Sequence, residues 1–419
     1  MSYEEAKRLD DAYVMHTFGR SPVEFVGGHG MYLTGDDGRD YLDFLAGIAV
    51  NCLGYGHPAL TAAVEGQAAK LLHVSNYFQI EHRGEVARHL AQLANAGEGE
   101  PREASPDAPQ AWRTFFGNSG AEANECAIKL ARLHAKRGGN GGHEIVCLNK
   151  SFHGRTMETI AATMQDWAQD PFKPLPGGFT AIDANDVEAL RAVFAARGSD
   201  ICAVLLEPIQ GESGVHPMTH EFMAEVRRLT SEYGALMMCD EVQCGLFRTG
   251  HVFGFQAYDV VPDVFTLAKS LGGGVPMGAC VAKAEVSEAF KPGDHGSTFG
   301  GGPLACAASE CVLGELAEGT APGGEPGAGY LAHVREVGGY LADRLRELSQ
   351  VTEVRGAGLM LGAELADGQP DAHDIVARAL EAGAVINATG PTTLRFLPPL
   401  VCTKADVDAL IEILGKVLA

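Results

Sequence analysis

From Arg113 onward the chain alternates short apolar runs with amphipathic ones: RTFFG, AEANECAIKLARLHAKRG, EIVCLNK, then ICAVLLEP, THEFMAEVRRLTSEYG, ALMMCDEV, DVFTLAK and MGACVAK. In THEFMAEVRRLTSEYG the apolar Phe222, Val226, Leu229 and Tyr233 recur at helical spacing. Short strands rich in Val, Leu and Ile, separated by such helices, predict a largely parallel sheet covered on both faces. The fold class is therefore α/β. Many of the 53 glycines sit beside apolar runs, as tight strand-to-helix turns require.

This rhythm does not extend to either end. VEFVGGHGMYLTGDDGRDYLDFLAGIAVNCLGYGHP has short alternating runs broken by Gly-Asp turns, which predicts a small antiparallel hairpin. Beyond Leu304 the pattern is helix-rich and closes with TKADVDALIEILGKVLA, where Thr403 and Asp406 fit a capping box. In that helix Val407, Leu410, Ile411, Leu414 and Leu418 form one stripe. The 419 residues exceed the roughly 250 to 300 that one core usually supports. We expect a large domain over 67–306, and a smaller α+β domain built from 1–66 and 307–419. NAGEGEPREASPDAPQ and EGTAPGGEPGAG read as solvent loops or insertions without a role.

A formal charge of −22 and a pI near 5.0 work against nucleic acid and anionic membrane surfaces as partners. No apolar run is long enough to span a bilayer, and the N-terminus has neither a signal peptide's apolar centre nor a transit peptide's acid-poor composition, so a cytoplasmic location is expected. Ten cysteines include no C-x-x-C pair and most lie in apolar runs, which predicts free buried thiols. The histidines lack metal-ligand spacing, so no metal is expected.

Three segments carry chemistry. ALMMCDEV ends an apolar run at Asp240 and Glu241, a pattern that means magnesium when a G-x-x-x-x-G-K-[ST] loop stands upstream; none does. RGAGLMLG has the wrong spacing for a dinucleotide fingerprint and reads as a tight turn. In RTFFGNSGAEANE, Ser119 and Glu122 make an S-x-x-E capping box, and Gly120 and Ala121 leave the first N–H groups of a helix open to an anion. In DVFTLAKSLGGG, Lys269 ends an apolar strand, where desolvation lowers an amine's pKa and makes it nucleophilic. A cofactor with a phosphate, an aldehyde and a ring nitrogen that must stay protonated would join the helix start, Lys269 and Asp240. Pyridoxal 5'-phosphate has that composition.

With YLDFLAGIAVNCLG, NSGAEANECAIKLAR, SFHGRT, EPIQGESGV, DEVQCGLFRTG, PDVFTLAKSLGGGVPMGA, GDHGSTFGGGPLACAA, VRGAGLMLG and LRFLPPL in this order, the chain resembles the class III, fold-type I pyridoxal-phosphate aminotransferases nearly end to end. The resemblance implies that Lys269 binds the cofactor's aldehyde and shuttles the proton, and that Asp240 faces the ring nitrogen. It implies Val242 under the ring, Gln243 near the ring oxygen, Phe152 on the other ring face, Glu241 close by, and Gly120 and Ala121 at the phosphate. Thr298 would reach the phosphate of a neighbouring subunit, which makes a homodimer the working unit.

For the substrates the resemblance implies Arg155 and Arg395 at carboxylates, Ser297 in contact, and Glu212 as the acid that neutralises Arg395 while an amine-bearing side chain reacts. The implied activity moves the ω-amino group of N-acetylornithine to 2-oxoglutarate, a step of arginine biosynthesis. Succinylornithine, ornithine, 4-aminobutyrate, succinyldiaminopimelate and acetyllysine are alternative donors, and an aminomutase or racemase shares the fold. Ornithine enzymes of the family carry a tyrosine near the stretch that here reads Ala46-Gly47-Ile48. A pyridoxal-binding regulator would need a basic DNA-binding module, and the chain has none. Ser213 and Cys244 depart from many relatives, and Cys244 beside the cofactor strand is expected to be oxidisable.

Overall fold

The apolar runs of the chain's middle form one seven-stranded sheet in the computed structural model, whose described residues are 3–95, 111–321 and 329–419. Across the sheet the strands are Trp112–Gly117, Gly278–Lys283, Val264–Leu267, Leu236–Asp240, Ile201–Leu206, Glu144–Leu148 and Phe179–Ile182. Gly278–Lys283 is antiparallel to both neighbours, and the other six point one way. Phe179–Ile182 has no apolar run to announce it; it is a four-residue edge strand with one buried residue.

Both faces of this sheet are covered, and side chains alternate between them. Val204, Leu206, Met237 and Cys239 join the core that takes in Phe222, Val226 and Leu229 of helix His220–Tyr233. Ala203, Leu205, Leu236 and Met238 join the core under Cys126, Ala127 and Leu130 of helix Gly120–Arg137. Each large apolar side chain so buried contributes about 1.5–3 kcal/mol. Thr219 caps His220–Tyr233 at its start, and left-handed Gly234 ends it.

The two ends of the chain meet. Phe25–His29, Tyr32–Gly35 and Asp40–Asp43 form the expected antiparallel set, and Ala384–Val385 adds to it in parallel, Ala384 opposite Leu42. A second small sheet runs Val351–Ala357, Met360–Leu365, Thr393–Phe396 and Asn387–Ala388, all antiparallel. RGAGLMLG is its first hairpin, turning at Gly358 (φ +53), where a Cβ would lie 2.6 Å from the Arg248 carbonyl oxygen. Helix Lys404–Val417 carries the reciprocal Thr403–Asp406 box and buries its stripe.

The boundaries after residues 66 and 306 fall inside helices Pro58–Lys70 and Pro303–Glu318, which pack on each other. A domain boundary belongs in an exposed connection. We therefore propose the same three-part division with its limits moved to after Lys70 and before Pro303. The interiors of the two Gly-, Pro- and Glu-rich segments, 96–110 and 322–328, lie outside the described residues. All ten cysteines are free thiols, Cys311 half-buried and the rest buried. Among the described residues no helix is long and apolar enough to cross a membrane.

Candidate active site

The carboxyl ends of parallel strands leave a crevice where ligands of open α/β sheets bind. Here that crevice is a cavity of about 420 Å³, bordered by Gly120, Phe152, Glu207, Asp240 and Lys269 among others. Strand Trp112–Gly117 turns through Asn118 into helix Gly120–Arg137, and Ser119 Oγ accepts the Glu122 N–H at 3.2 Å. The Glu122 carboxylate reaches past Ser119 to the N–H and the Nδ2 of Asn118, so the expected reciprocal box is offset by one residue. The Gly120 and Ala121 N–H groups have no acceptor among the described residues, and both residues line the cavity. A Cβ at Gly120 would lie 2.9 Å from Val242 Cγ1.

Asp240 is fixed from three sides. Its Oδ2 accepts from Asn124 Nδ2 at 2.7 Å and faces His153 Nδ1 at 2.8 Å; its Oδ1 accepts the Val242 N–H at 3.0 Å. Thr266, opposite Asp240 in the parallel ladder, donates Oγ1 to Asn124 Oδ1 at 2.7 Å. His153 Nε2 is buried without a partner. Glu207, buried at the same cavity, accepts the Phe152 and Gly211 N–H groups, and burial pushes its carboxyl up. Asn124, His153, Thr266 and Glu207 carry no candidate signal in the sequence. Each lies inside a segment that carries the resemblance, Asn124 in NSGAEANECAIKLAR, His153 in SFHGRT, Glu207 in EPIQGESGV and Thr266 in PDVFTLAKSLGGGVPMGA, with nothing there to mark it out.

Lys269 follows strand Val264–Leu267 in a left-handed backbone conformation (φ +49). Burial lowers its amine's pKa and Arg395 adds to that, with Glu212 and Asp240 opposing. The next residue, Ser270, donates Oγ to the Ala49 carbonyl at 2.9 Å. Ala49 closes a run of left-handed residues, Ala46, Gly47, Ile48 and Ala49, whose start is held by Asp43 accepting the Leu45 and Ala46 N–H groups at 2.7 and 3.0 Å. Three of the four are not glycine, at a cost of about 1–2 kcal/mol each. The turn delivers Val50 to the cavity wall, a contact the sequence does not announce.

Arg395, 1% exposed, extends from strand Thr393–Phe396. Its Nη1 donates to Glu212 Oε1 at 2.7 Å, to the Gly211 carbonyl at 3.0 Å and to Gln243 Oε1 at 3.2 Å. Gln243 Nε2 donates to Glu212 Oε1 at 2.9 Å, so the Gln243 amide bridges the ion pair as well as lining the cavity. Burial works to raise the Glu212 carboxyl, but Arg395, Lys269 and these hydrogen bonds outweigh it and hold it below its ordinary value. Glu212 borders the cavity and Arg395 lies behind it. Arg155 is exposed at the cavity, its guanidinium 4.9 Å from the Trp167 ring centre and 5.9 Å from that of Phe152, with no carboxylate partner among the described residues.

Two expectations change. Glu241 is not part of the cavity: strand alternation turns it away from Asp240, and its oxygens accept the Gly254 and Phe255 N–H groups at 2.7 and 2.8 Å. Burial pushes its carboxyl up to about 7. Cys244 is buried with Sγ 3.6 Å from the Asp240 carbonyl oxygen, and burial drives its thiol well above the ordinary range, the reverse of an oxidisable thiolate. Ser297 and Thr298 line a different cavity, about 920 Å³, with His73, Asn76 and Arg83. Asn118 stands between the two spaces, lining the first and donating Nδ2 to Ser297 Oγ at 3.2 Å.

The donor set fits pyridoxal phosphate: open N–H groups at a helix start for the phosphate, an amine for the aldehyde, an oriented carboxylate for the ring nitrogen, and Val242 and Phe152 on the cavity wall.

The chain matches the family described as Aminotransferase class-III over residues 16–418. It is 44% identical to an acetylornithine aminotransferase of Caldanaerobacter subterraneus subsp. tengcongensis over 412 residues, 97% of each chain. It is 42% identical to the one of Methanocaldococcus jannaschii, across 100% of this chain and 98% of that one. Among solved structures it superposes on the ornithine aminotransferase of Toxoplasma gondii ME49 with a TM-score of 0.88 at 30% identity, covering 100% and 95% of the two chains. The acetylornithine aminotransferase of Elizabethkingia anophelis gives 0.84 at 30% identity, with 99% and 98% covered.

Proposed function

The chain belongs to the class III aminotransferases, and from that premise we propose that it moves the ω-amino group of N-acetylornithine to 2-oxoglutarate, giving N-acetylglutamate semialdehyde and glutamate. It is a pyridoxal-phosphate-dependent transaminase. Bound at this site, pyridoxal phosphate supplies an aldehyde that accepts the amino group and a ring that withdraws electrons from the substrate carbon.

The protein's own residues do the rest. Gly120 and Ala121 would hold the phosphate, and Asp240, oriented by Asn124 and His153, would keep a proton on the ring nitrogen. Lys269, its amine's pKa lowered by burial, would hold the aldehyde and, once the donor's amine has displaced it, would serve as the base that moves the proton from the amine-bearing carbon. Arg155 takes the α-carboxylate of the amino donor, its fork left open by aromatic rather than acidic neighbours.

The observation that carries the two-substrate reading is the Glu212–Arg395 pair at the cavity. While the uncharged methylenes next to the ω-amine occupy that end, Glu212 neutralises Arg395. When 2-oxoglutarate brings a carboxylate to the same place, Glu212 withdraws and Arg395 receives it. Thr298 and Ser297 serve the cofactor and substrate across a homodimer interface, Thr298 reaching the partner's phosphate.

The test is kcat/KM with 2-oxoglutarate for N-acetylornithine, succinylornithine, ornithine and 4-aminobutyrate. N-acetylornithine is expected to lead. A lead for ornithine would transfer the assignment to the second reading, which the likeness to the Toxoplasma enzyme favours.

A further inference from the structure

Arg395 cannot offer a carboxylate every edge of its guanidinium. Its Nε and Nη2 both donate to Asn387 Oδ1, at 3.1 and 2.7 Å, so one amide oxygen chelates the side edge. The remaining contacts engage Nη1, with the Gly211 carbonyl, Gln243 and Glu212. Among the described residues only the second N–H of Nη2 lacks an acceptor. When Glu212 leaves, an incoming carboxylate can take the Nη1 N–H that Glu212 held and the spare one of Nη2, while the Gly211 carbonyl and Gln243 still engage Nη1.

The backbone builds this chelate. Asn387 and Arg395 are directly opposed in the antiparallel pair Asn387–Ala388 and Thr393–Phe396, which puts both side chains on one face. The hairpin between them is closed by the Thr389 N–H on the Thr393 carbonyl at 3.0 Å. The arrangement separates two tasks. A carboxylate at position 387 would fix the guanidinium equally well but cancel its charge in both halves of the cycle. A neutral amide fixes it and leaves cancellation to the movable Glu212.

We propose that Asn387 is the positioning residue of the carboxylate switch: it locks Arg395 into end-on presentation without neutralising it, and so confines control of the acceptor site to Glu212. The proposal rests on the reading of Arg395 as the receiver of the oxo acid's carboxylate.

The experiment uses the holoenzyme and titrates glutarate, an unreactive dicarboxylate, by calorimetry. Alongside it come the KM for 2-oxoglutarate and the single-turnover rate with N-acetylornithine alone. Asn387→Asp keeps the shape and both hydrogen bonds but adds charge. It is expected to weaken glutarate and raise the 2-oxoglutarate KM by about tenfold or more, leaving the single-turnover rate within about twofold. Asn387→Ala, which frees the fork without cancelling it, is expected to lose less affinity than Asn387→Asp. Wild-type glutarate affinity in Asn387→Asp overturns the proposal, as does an equal or larger loss in Asn387→Ala. Arg395→Ala is the control: if it binds glutarate as wild type does, the underlying reading of Arg395 fails and the proposal falls with it.

Discussion

Glu212 Oε1 lies 2.7 Å from Arg395 Nη1, with the carboxylate on the cavity side and the guanidinium behind it. The positive charge is present but cancelled, and on the proposed function the pair is a closed gate.

Removing the gate should therefore change preference more than capacity. In Glu212→Ala, Arg395 stays uncovered while the ω-amine donor reacts, and glutamate gains a permanent carboxylate site. The ratio of kcat/KM for glutamate to that for N-acetylornithine should rise by about an order of magnitude or more, the factor that ~1.4 kcal/mol represents. Steady-state assays of both donors check this; an unchanged ratio would remove Glu212 from the account.

Gly120 tests the proposed phosphate site. A Cβ there would press on Val242 Cγ1 at 2.9 Å and Cγ2 at 3.0 Å, so Gly120→Ala must displace either the helix start or Val242. Cofactor affinity should fall by about tenfold, as loss of roughly 1–2 kcal/mol at a helix N-terminus would give. Reconstitution of apoenzyme with pyridoxal phosphate, followed by absorbance, measures it.

Glu241 should prove to be a loop anchor. Its carboxyl is raised from 4.5 to about 7, so the folded state holds the proton more tightly than the unfolded one. Its contribution to stability is thus fully present below pH 4.5 and lost as pH rises through about 7. At ~1.4 kcal/mol per pH unit the loss is about 3 kcal/mol. Denaturant unfolding from pH 4.5 to 8 should show that fall in wild type and a flatter profile in Glu241→Gln. The variant's cofactor absorption should persist, because Glu241 does not border the cavity.

How legible the site is depends on how local its causes are. Lys269, Asp240 and Gly120 stand at the ends of strands or the start of a helix, where a few neighbouring residues reveal the backbone. Arg395 and Glu212 are readable only through the family's motifs, since nothing near them in the chain shows that they meet. Asn124, Thr266 and His153 become meaningful once the parallel register sets Asp240 opposite Thr266 and lays helix Gly120–Arg137 across both strands. The left-handed turn Ala46–Ala49 is imposed by the side chain of Asp43, against the preference of its own alanines and isoleucine. Likewise, Ala384–Val385 is a strand because Asp40–Asp43 offers it an edge.

On the proposed function, Lys269 is the amine that bonds the cofactor. Holoenzyme reduced with borohydride and mapped by peptide mass spectrometry should carry one pyridoxyl phosphate group, on the peptide containing Lys269, and Lys269→Ala should carry none and lack turnover. A label on any other lysine, or turnover surviving in Lys269→Ala, would mean that Lys269 is not the cofactor's amine.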